Sequence, residues 1–427
     1  MADSDLTSPV LARAWRNFHD AQTEILSWMT GSERFARFEQ SRARAYHVMM
    51  EVLAMAYNFA VAPRRLHPRV FVNTVWQTDM YTLGQNGPDF YYGVCFLDGS
   101  QDYRITGKFN DSVLILGQVI AQLSGHPNSD VVGNYDFADF DVAPDGSFEI
   151  AVSAREQPGN WMKLAPDSGY NFILFRRATG DWNQTPASLE IERVSPLPDD
   201  HYDVDEFDEA TMAERIDRAT AFMKYCIRDF TMNLYEWYRG NAAADADGGE
   251  TRTKVGDMDA SDAGFNRLCF LPGTITSTVG SPTSNYAMAV FNLAADEALI
   301  LELDQLPDGV YWSFQLGDVW SRSLNYIYHN SSISMHHAVT DSDGALRLVV
   351  AHRDPGIQNW LDTTGRFQGT VVFRNYRASC APVPRTRKVR FDEIDAHLPA
   401  DTARIGADER RRQVAARHRG VKRLHGE

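Results

Sequence analysis

Positive charge is in short supply: 42 Lys and Arg face 57 Asp and Glu, a formal net charge of −15. A phosphate backbone or an anionic membrane surface would be repelled by most of such a molecule, so neither nucleic acid nor membrane is an expected partner. Apolar runs are short, and none approaches the ~20 residues a membrane-spanning helix needs. The first residues, MADSDLTSPVLARAW, lack a charged stretch leading into an apolar one, which points to a cytoplasmic protein. Cysteine is scarce too. Cys95, Cys226, Cys269 and Cys380 show no CxxC or other ligand spacing, which fits packed or free thiols in a reducing compartment. There is no GxGxxG after a strand, no GxxxxGK[ST], no HExxH and no GxSxG. Nucleotide-dependent, zincin-type and α/β-hydrolase chemistry therefore have no support, and no cofactor or metal is expected.

What the chain does have is a repeat. From Asp145 it reads DGSFEIAVSAREQPGNWMKLAPDSGYNFILFRRATGDW, and from Asp343 DGALRLVVAHRDPGIQNWLDTTGRFQGTVVFRNY. Each copy passes from a DG turn through an alternating strand, a Pro-Gly turn, an Asn-Trp pair and a second strand ending in Arg. Gly146 to Arg176 spans 30 positions (176 − 146), as does Gly344 to Arg374 (374 − 344), while Asn160 and Asn359 differ by one place within that frame. The pattern reads as an internal duplication with a one-residue shift.

The surrounding chain fits this reading. Residues 9–62 show helical periodicity in Leu11, Trp15, Phe18, Ile25, Leu26 and Met29, then in Phe35, Phe38, Tyr46, Met49, Met50, Leu53 and Tyr57. Gly31-Ser32 separates two helices and Pro63 stops the second. From about 67 to 195 the period changes to two, with strands divided by NGPD, LDGSQD, PDG, QPGN and APDSG turns. SVLILGQVIAQL, apolar almost throughout, reads as a strand with a helix as the alternative. An acidic linker, PLPDDHYDVDEFDE, precedes an amphipathic helix ending at Gly240, followed by a polar NAAADADGG loop. A second β-region spans 265–392, and a basic tail holds a short helix beginning near Asp408, expected to dock on the protein's own acidic surface. The expected architecture is mainly β with flanking α-helices: two tandem jelly-roll or sandwich-like β-domains from an internal duplication. Its blocks are a helical hairpin (1–64), a first sandwich (65–195), linker, helix and loop (196–264), a second sandwich (265–395) and the tail (396–427).

GNWMKLAPDSGYNFILFRRATGDW, preceded by DFADFDVAPDGSFEIAVS, together with HRDPGIQNWLDTTGRFQGTVVFRNY, resembles the bacterial DUF1214 family, often associated with DUF1254. PDFYYGVCFLDGSQDYRITGK looks like that family's Asn-Pro-Asp-Asn-Val-Tyr-Tyr segment, with Gly87 and Phe90 standing where the family has Asn and Val. ADERRRQVAARHRGVKR resembles the ending of actinobacterial members. The resemblance covers most of residues 65–425 and implies a mainly β, jelly-roll-like fold. It supplies no catalytic residues.

Candidate site residues come from the second repeat. If DVWSRSLNYIYHN is extended, Asp318, Trp320, Arg322, Leu324, Tyr326 and Tyr328 share one face, a composition suited to a pocket wall. His352 precedes Arg353-Asp354-Pro355-Gly356, where a carboxylate can orient it as a general acid or base. His352, Asp318 and Arg322 are the candidate catalytic groups, and Trp320, Tyr326 and His329 the candidate substrate-binding groups. His336 and His337, if in a strand, point to opposite faces and cannot chelate one ion together. Asp199-Asp200-His201-Tyr202-Asp203 fits DDxxD but lies in the linker. Trp161 and Trp360 are expected to seal the ends of the sandwiches while the preceding Asn closes a turn, and Arg176 and Arg374 to pair with carboxylates. Three functional readings follow. The first is an enzyme or binder for a small ring-bearing organic molecule in the second β-domain. The others are a carbohydrate-binding sandwich and a non-catalytic homo-oligomer whose aromatic faces are subunit interfaces.

Overall fold

The computed structural model describes residues 8–72, 81–196, 208–246, 264–270, 284–380 and 382–425. The chain forms two compact units. The first contains Met1–Gln77, Tyr91–Arg177 and Pro186–Met232, and the second Thr78–Phe90, Ala178–Thr185 and Asn233–Glu427. The acidic linker, with its DDxxD match, falls outside the described residues.

In the first unit, helix α1 (Pro9–Thr30) begins where the Ser8 hydroxyl accepts from the Leu11 N–H and Pro9 occupies a position that needs no N–H; it closes at Gly31. Helices α2 (Glu33–Arg37) and α3 (Glu39–Ala56) follow, and the chain continues in a π-helical turn, Tyr57–Val61. Helix α4 (Glu209–Lys224), capped by Asp208, runs into a longer π-helical stretch, Tyr225–Asn233. Buried Arg34 donates to the Thr231 and Met232 carbonyls at 3.2 and 3.0 Å, satisfying groups at the end of that stretch. Ala14, Ala213 and Ile216 form the seam between α1 and α4, flanked by ion pairs Arg13–Asp217 and Lys224–Glu24. The apolar periodicity overstates burial here: Trp15, Tyr46, Met50 and Tyr57 are each more than half exposed. No helix among the described residues is long and apolar enough to cross a membrane.

The first unit's β-part has strands β1 (Phe90–Leu97), β2 (Tyr103–Lys108), β3 (Ser112–Ile120), β4 (Val131–Asp136), β5 (Ser147–Ser153), β6 (Trp161–Lys163), β7 (Asn171–Thr179) and β8 (Ser188–Arg193). They form two sheets, in the orders β1-β7-β3-β4 and β6-β5-β2-β8. SVLILGQVI is thus a strand. Inward residues of both sheets, among them Cys95, Ile115 and Phe175 from one and Ile105, Ile150 and Val152 from the other, share one core.

In the second unit, helix α5 (Leu234–Ala246) passes through Gly240 and into the expected loop, because the three alanines that follow Asn241 favour helix. Strands β9 (Cys269–Phe270), β10 (Ser284–Asn292), β11 (Glu297–Leu303), β12 (Tyr311–Gly317), β13 (Ser332–Ser334), β14 (Leu346–Ala351), β15 (Trp360–Asp362), β16 (Gln368–Tyr376) and β17 (Arg385–Arg390) follow. Their sheets run β13-β12-β16-β10-β9 and β15-β14-β11-β17. Apart from the short edge strand β9, the orders repeat those of the first unit strand for strand. Phe314, Phe373 and Phe291 from one sheet meet Leu299, Leu348 and Val350 from the other. Helix α6 (Ala407–His425) ends the described chain.

The two Asn-Trp motifs make matching joints. Asn160 donates to the Asp141 and Glu149 carbonyls and accepts from the Asp141 N–H, and Trp161 donates to the Ser153 carbonyl at 3.0 Å. Asn359 donates to the Val339 and Arg347 carbonyls and accepts from the Val339 N–H, and Trp360 donates to the Ala351 carbonyl at 3.1 Å. The three backbone partners are offset by 198 positions (339 − 141), and the Asn pair by 199 (359 − 160). In both units the Trp opens a short strand running parallel to its neighbour, Ala151 opposite Trp161 and Val349 opposite Trp360. The DG turns match as well: Gly146 and Gly344 have φ of 83° and 81°, a conformation that suits a residue without Cβ.

Candidate functional site

The segment after β12 is not extended. The Asp318 carboxylate accepts from the N–H groups of Trp320 and Arg322 at 2.9 and 3.1 Å, the Asp318 N–H donates to the Arg322 carbonyl, and Ser321 takes a φ of 59°. The chain folds back, so Leu324 donates to Leu316. An aspartate that satisfies nearby N–H groups competes with the strand ladder, and here the turn wins. The alternation that would align Asp318, Trp320, Arg322 and Tyr326 on one face is therefore absent. Trp320 has no exposed surface, so it offers no ring for a sugar to stack on, and Asp318, Arg322 and Tyr326 are buried.

Hydrogen bonds sort the six candidate residues into two groups. Asp318, Trp320 and Arg322 belong to the turn. Ser323, next along, donates to the Asn86 side chain, and Asn86 in turn donates to the Tyr326 hydroxyl at 2.8 Å. The second group gathers where β15 ends. His329 Nδ1 lies 2.9 Å from Asp362 Oδ2, and His352 Nδ1 lies 2.7 Å from the hydroxyl of the next residue, Thr363.

The two histidines differ in what remains for chemistry. His352 Nε2 faces the Leu293 and Ala294 carbonyls at 3.2 and 3.0 Å, so both ring nitrogens are engaged. Asp354, the nearby carboxylate, pairs with Arg410 instead. The carboxylate–histidine pair occurs at His329, whose side chain is 45% exposed against 14% for Asp362. The other Asp362 oxygen accepts from the Thr364 N–H at 2.7 Å, and the Asp362 N–H donates to the Asn330 carbonyl, which fixes the carboxylate. With Nδ1 donating to Asp362, neutral His329 keeps a lone pair on Nε2, the arrangement of a general base. Beside it in the chain, half-exposed Tyr328 meets the His418 ring at 4.7 Å, and Arg417 donates to the His329 and Ser332 carbonyls. A carboxylate-held imidazole and an aromatic pair thus neighbour one another at β13, β15 and α6. In sequence Asp362 gave no signal beyond its place after Asn-Trp.

A buried polar layer also escaped the sequence reading. Asp89, in the segment that resembles the Asn-Pro-Asp motif, accepts from the Trp182 indole at 2.6 Å and the Tyr311 hydroxyl at 2.7 Å. Burial and the adjacent Asp89 charge push the Tyr311 hydroxyl well above its ordinary pKa, so it stays a neutral donor. Gln315 donates to the Asn86 carbonyl and accepts from Arg374 at 2.8 Å, while Arg374 also donates to the Gln85 carbonyl. The carboxylate expected for Arg374 is thus replaced by an amide and a backbone oxygen. Arg176, its counterpart in the first unit, is buried.

His336 and His337 follow β13 in a turn rather than lying in a strand, and the His337 N–H donates to the Ser334 carbonyl. All four cysteines are free thiols. Among the described residues no group of three or more His, Cys, Asp or Glu side chains is placed to hold a metal ion.

Comparison with known proteins places these features in context. No curated protein matches the chain. An uncharacterised protein of Burkholderia cenocepacia is similar in structure, with a TM-score of 0.75 and 26% identity over 91% of this chain and 99% of that one. A Vibrio parahaemolyticus protein is a more distant match, with a TM-score of 0.42 and 11% identity over 80% of this chain and 97% of that one. The model of the family described as a protein of unknown function, DUF1214, matches the stretch that holds β11 to β16, Asp362 and both histidines: the chain carries a DUF1214 domain at residues 291–379.

Proposed function

We propose that the second β-domain binds a small ring-bearing organic molecule beside His329 and Asp362, with His329 taking up or delivering a proton. The observation that carries this reading is the 2.9 Å pairing of a half-exposed imidazole with a partly buried, backbone-anchored carboxylate. Such a pairing orients the ring and stabilises the imidazolium that forms when Nε2 accepts a proton. The Tyr328–His418 pair supplies aromatic surface for a planar ligand. Native mass spectrometry of the full chain, mixed with a panel of small aromatic and heterocyclic compounds, tests the binding step. Retention of one compound by the wild type, lost in His329→Ala and Tyr328→Ala, supports the reading; retention of none, or equal retention by both variants, overturns it.

A second reading, self-association, is favoured by a separate observation. Tyr46, Met50 and Tyr57 recur along one helical stretch and stand exposed, as Trp15 does on α1. Light scattering at micromolar concentration, with Met50→Glu as the control, distinguishes an oligomer from a monomer.

We also infer that the two β-domains are copies of one ancestral unit. The repeated strand order and the matching backbone partners of Asn160 and Asn359 support this, including the one-position shift between their frames.

A further inference from the structure

The C-terminal helix is basic, and its deepest contacts are one ion pair and a set of backbone carbonyls rather than a broad acidic surface. Arg410 pairs with Asp354 and also donates to the Ile357 and Gln358 carbonyls. Arg417 donates to the His329 and Ser332 carbonyls, and Arg423 to those of Trp182 and Gln184. Val421 and Leu424 are buried on the same helix. A Cβ added to Gly420 would lie 2.4 Å from that of Trp182, so only glycine allows so close an approach.

Trp182 is the latch of this contact. The Arg417 guanidinium lies 4.5 Å from the centre of its ring system, and the His337 ring centre lies 5.2 Å away. The indole N–H is held by Asp89 at 2.6 Å. His337 is fixed by the Ser334 hydroxyl at 3.0 Å. We propose that helix α6 is a pH-sensitive strap, latched on Trp182 between Arg417 and His337 and loosened when the His337 imidazole takes up a proton.

The groups facing His337 set the direction. Burial opposes its charge most strongly, and Arg417 on α6 and neighbouring His336 oppose it too. Asp89 and Asp181 favour it, but the Asp89 oxygens already accept from Trp182 and Tyr311. The balance holds His337 below its ordinary value, while Arg417, lowered by burial only to about 10, remains a cation at neutral pH. Proton uptake would place a second positive charge on half-buried His337, beside the buried Arg417. A histidine whose pKa is depressed in the docked state favours docking fully above its free value of ~6.5. That preference is lost as pH falls from there through the docked value.

The experiment is hydrogen exchange of the peptide covering α6 in the full chain at pH 7.5 and 5.5, each corrected for the intrinsic exchange rate. Protection of the wild type is expected to fall about fivefold or more at pH 5.5. His337→Phe keeps a ring and cannot titrate, and His337→Gln keeps a polar group; either should hold protection equal at both pH values. His418→Ala should leave the fall intact, which separates His337 from the α6 histidine that packs on Tyr328. Equal wild-type protection at both pH values, or a fall that persists in both His337 variants, would overturn the proposal.

Discussion

Asn160 and Asn359 satisfy the same backbone groups in their respective β-domains: two carbonyls and one N–H, in each case bridging the approach to a strand and the body of that same strand. Asn359 is buried, whereas Asn160 is partly exposed. Water can replace the lost bonds at the exposed joint and not at the buried one. Asn359→Ala should therefore lower unfolding free energy by about 2–3 kcal/mol, and Asn160→Ala by about 1 kcal/mol or less. Urea titration of the two variants measures the difference, and equal losses would show that burial does not set the cost.

The two histidines at the end of β15 should respond differently. His352→Ala removes contacts to Thr363 and to the Leu293 and Ala294 carbonyls, so it should destabilise by about 1–2 kcal/mol. Binding or turnover per folded molecule should stay within about twofold of wild type, since no ring nitrogen is left over for a ligand. His329→Ala should show the reverse, with melting temperature nearly unchanged and function lost. Paired thermal and activity measurements read both, and loss of function in His352→Ala at full occupancy of the fold would count against this assignment.

Stability should also depend on pH through the DG turn of the second domain. Arg347 reaches Asp341, Asp343 and Glu302, and its hydrogen bonds to Asp343 hold that carboxyl below its usual range. The folded state thus binds the Asp343 proton less readily than the unfolded chain. The contribution is present above the unfolded value of ~3.9 and is lost as pH falls below it through the folded value. The stability gap between wild type and Asp343→Asn should be present at pH 6 and shrink as pH falls below about 4. A gap of constant size across that range would contradict the link.

Much of the β-architecture was legible because strand alternation and turn chemistry are local. The Asn-Trp repeat located its own joints, since a buried carboxamide and an indole N–H each need backbone partners close by. The stretch from Asp318 to Tyr328 was misread for an equally local reason. Alternation suggested a strand, but the Asp318 side chain captures two N–H groups and turns the chain. The Arg374 partners were not legible, because Gln85 lies far back in the sequence and donates no charge to signal the pairing. Nor was the exposure of Tyr46, Met50 and Tyr57, since helical periodicity marks an apolar face without saying what covers it. The His329–Asp362 pair joins a residue in the bend before β13 to the last residue of β15, and neither spacing nor composition marks it.

The most direct measurement for the central claim is metabolite depletion by the purified full chain, run side by side with His329→Ala and Asp362→Asn. Small-molecule extracts would be incubated with each protein and compared by mass spectrometry. Wild type should consume at least one ring-bearing compound, and both variants, folded as judged by circular dichroism, should do so about 100-fold more slowly, the scale of a lost general base. Consumption by Asp362→Asn and His329→Ala at the wild-type rate, or no compound consumed by any of the three, would contradict it.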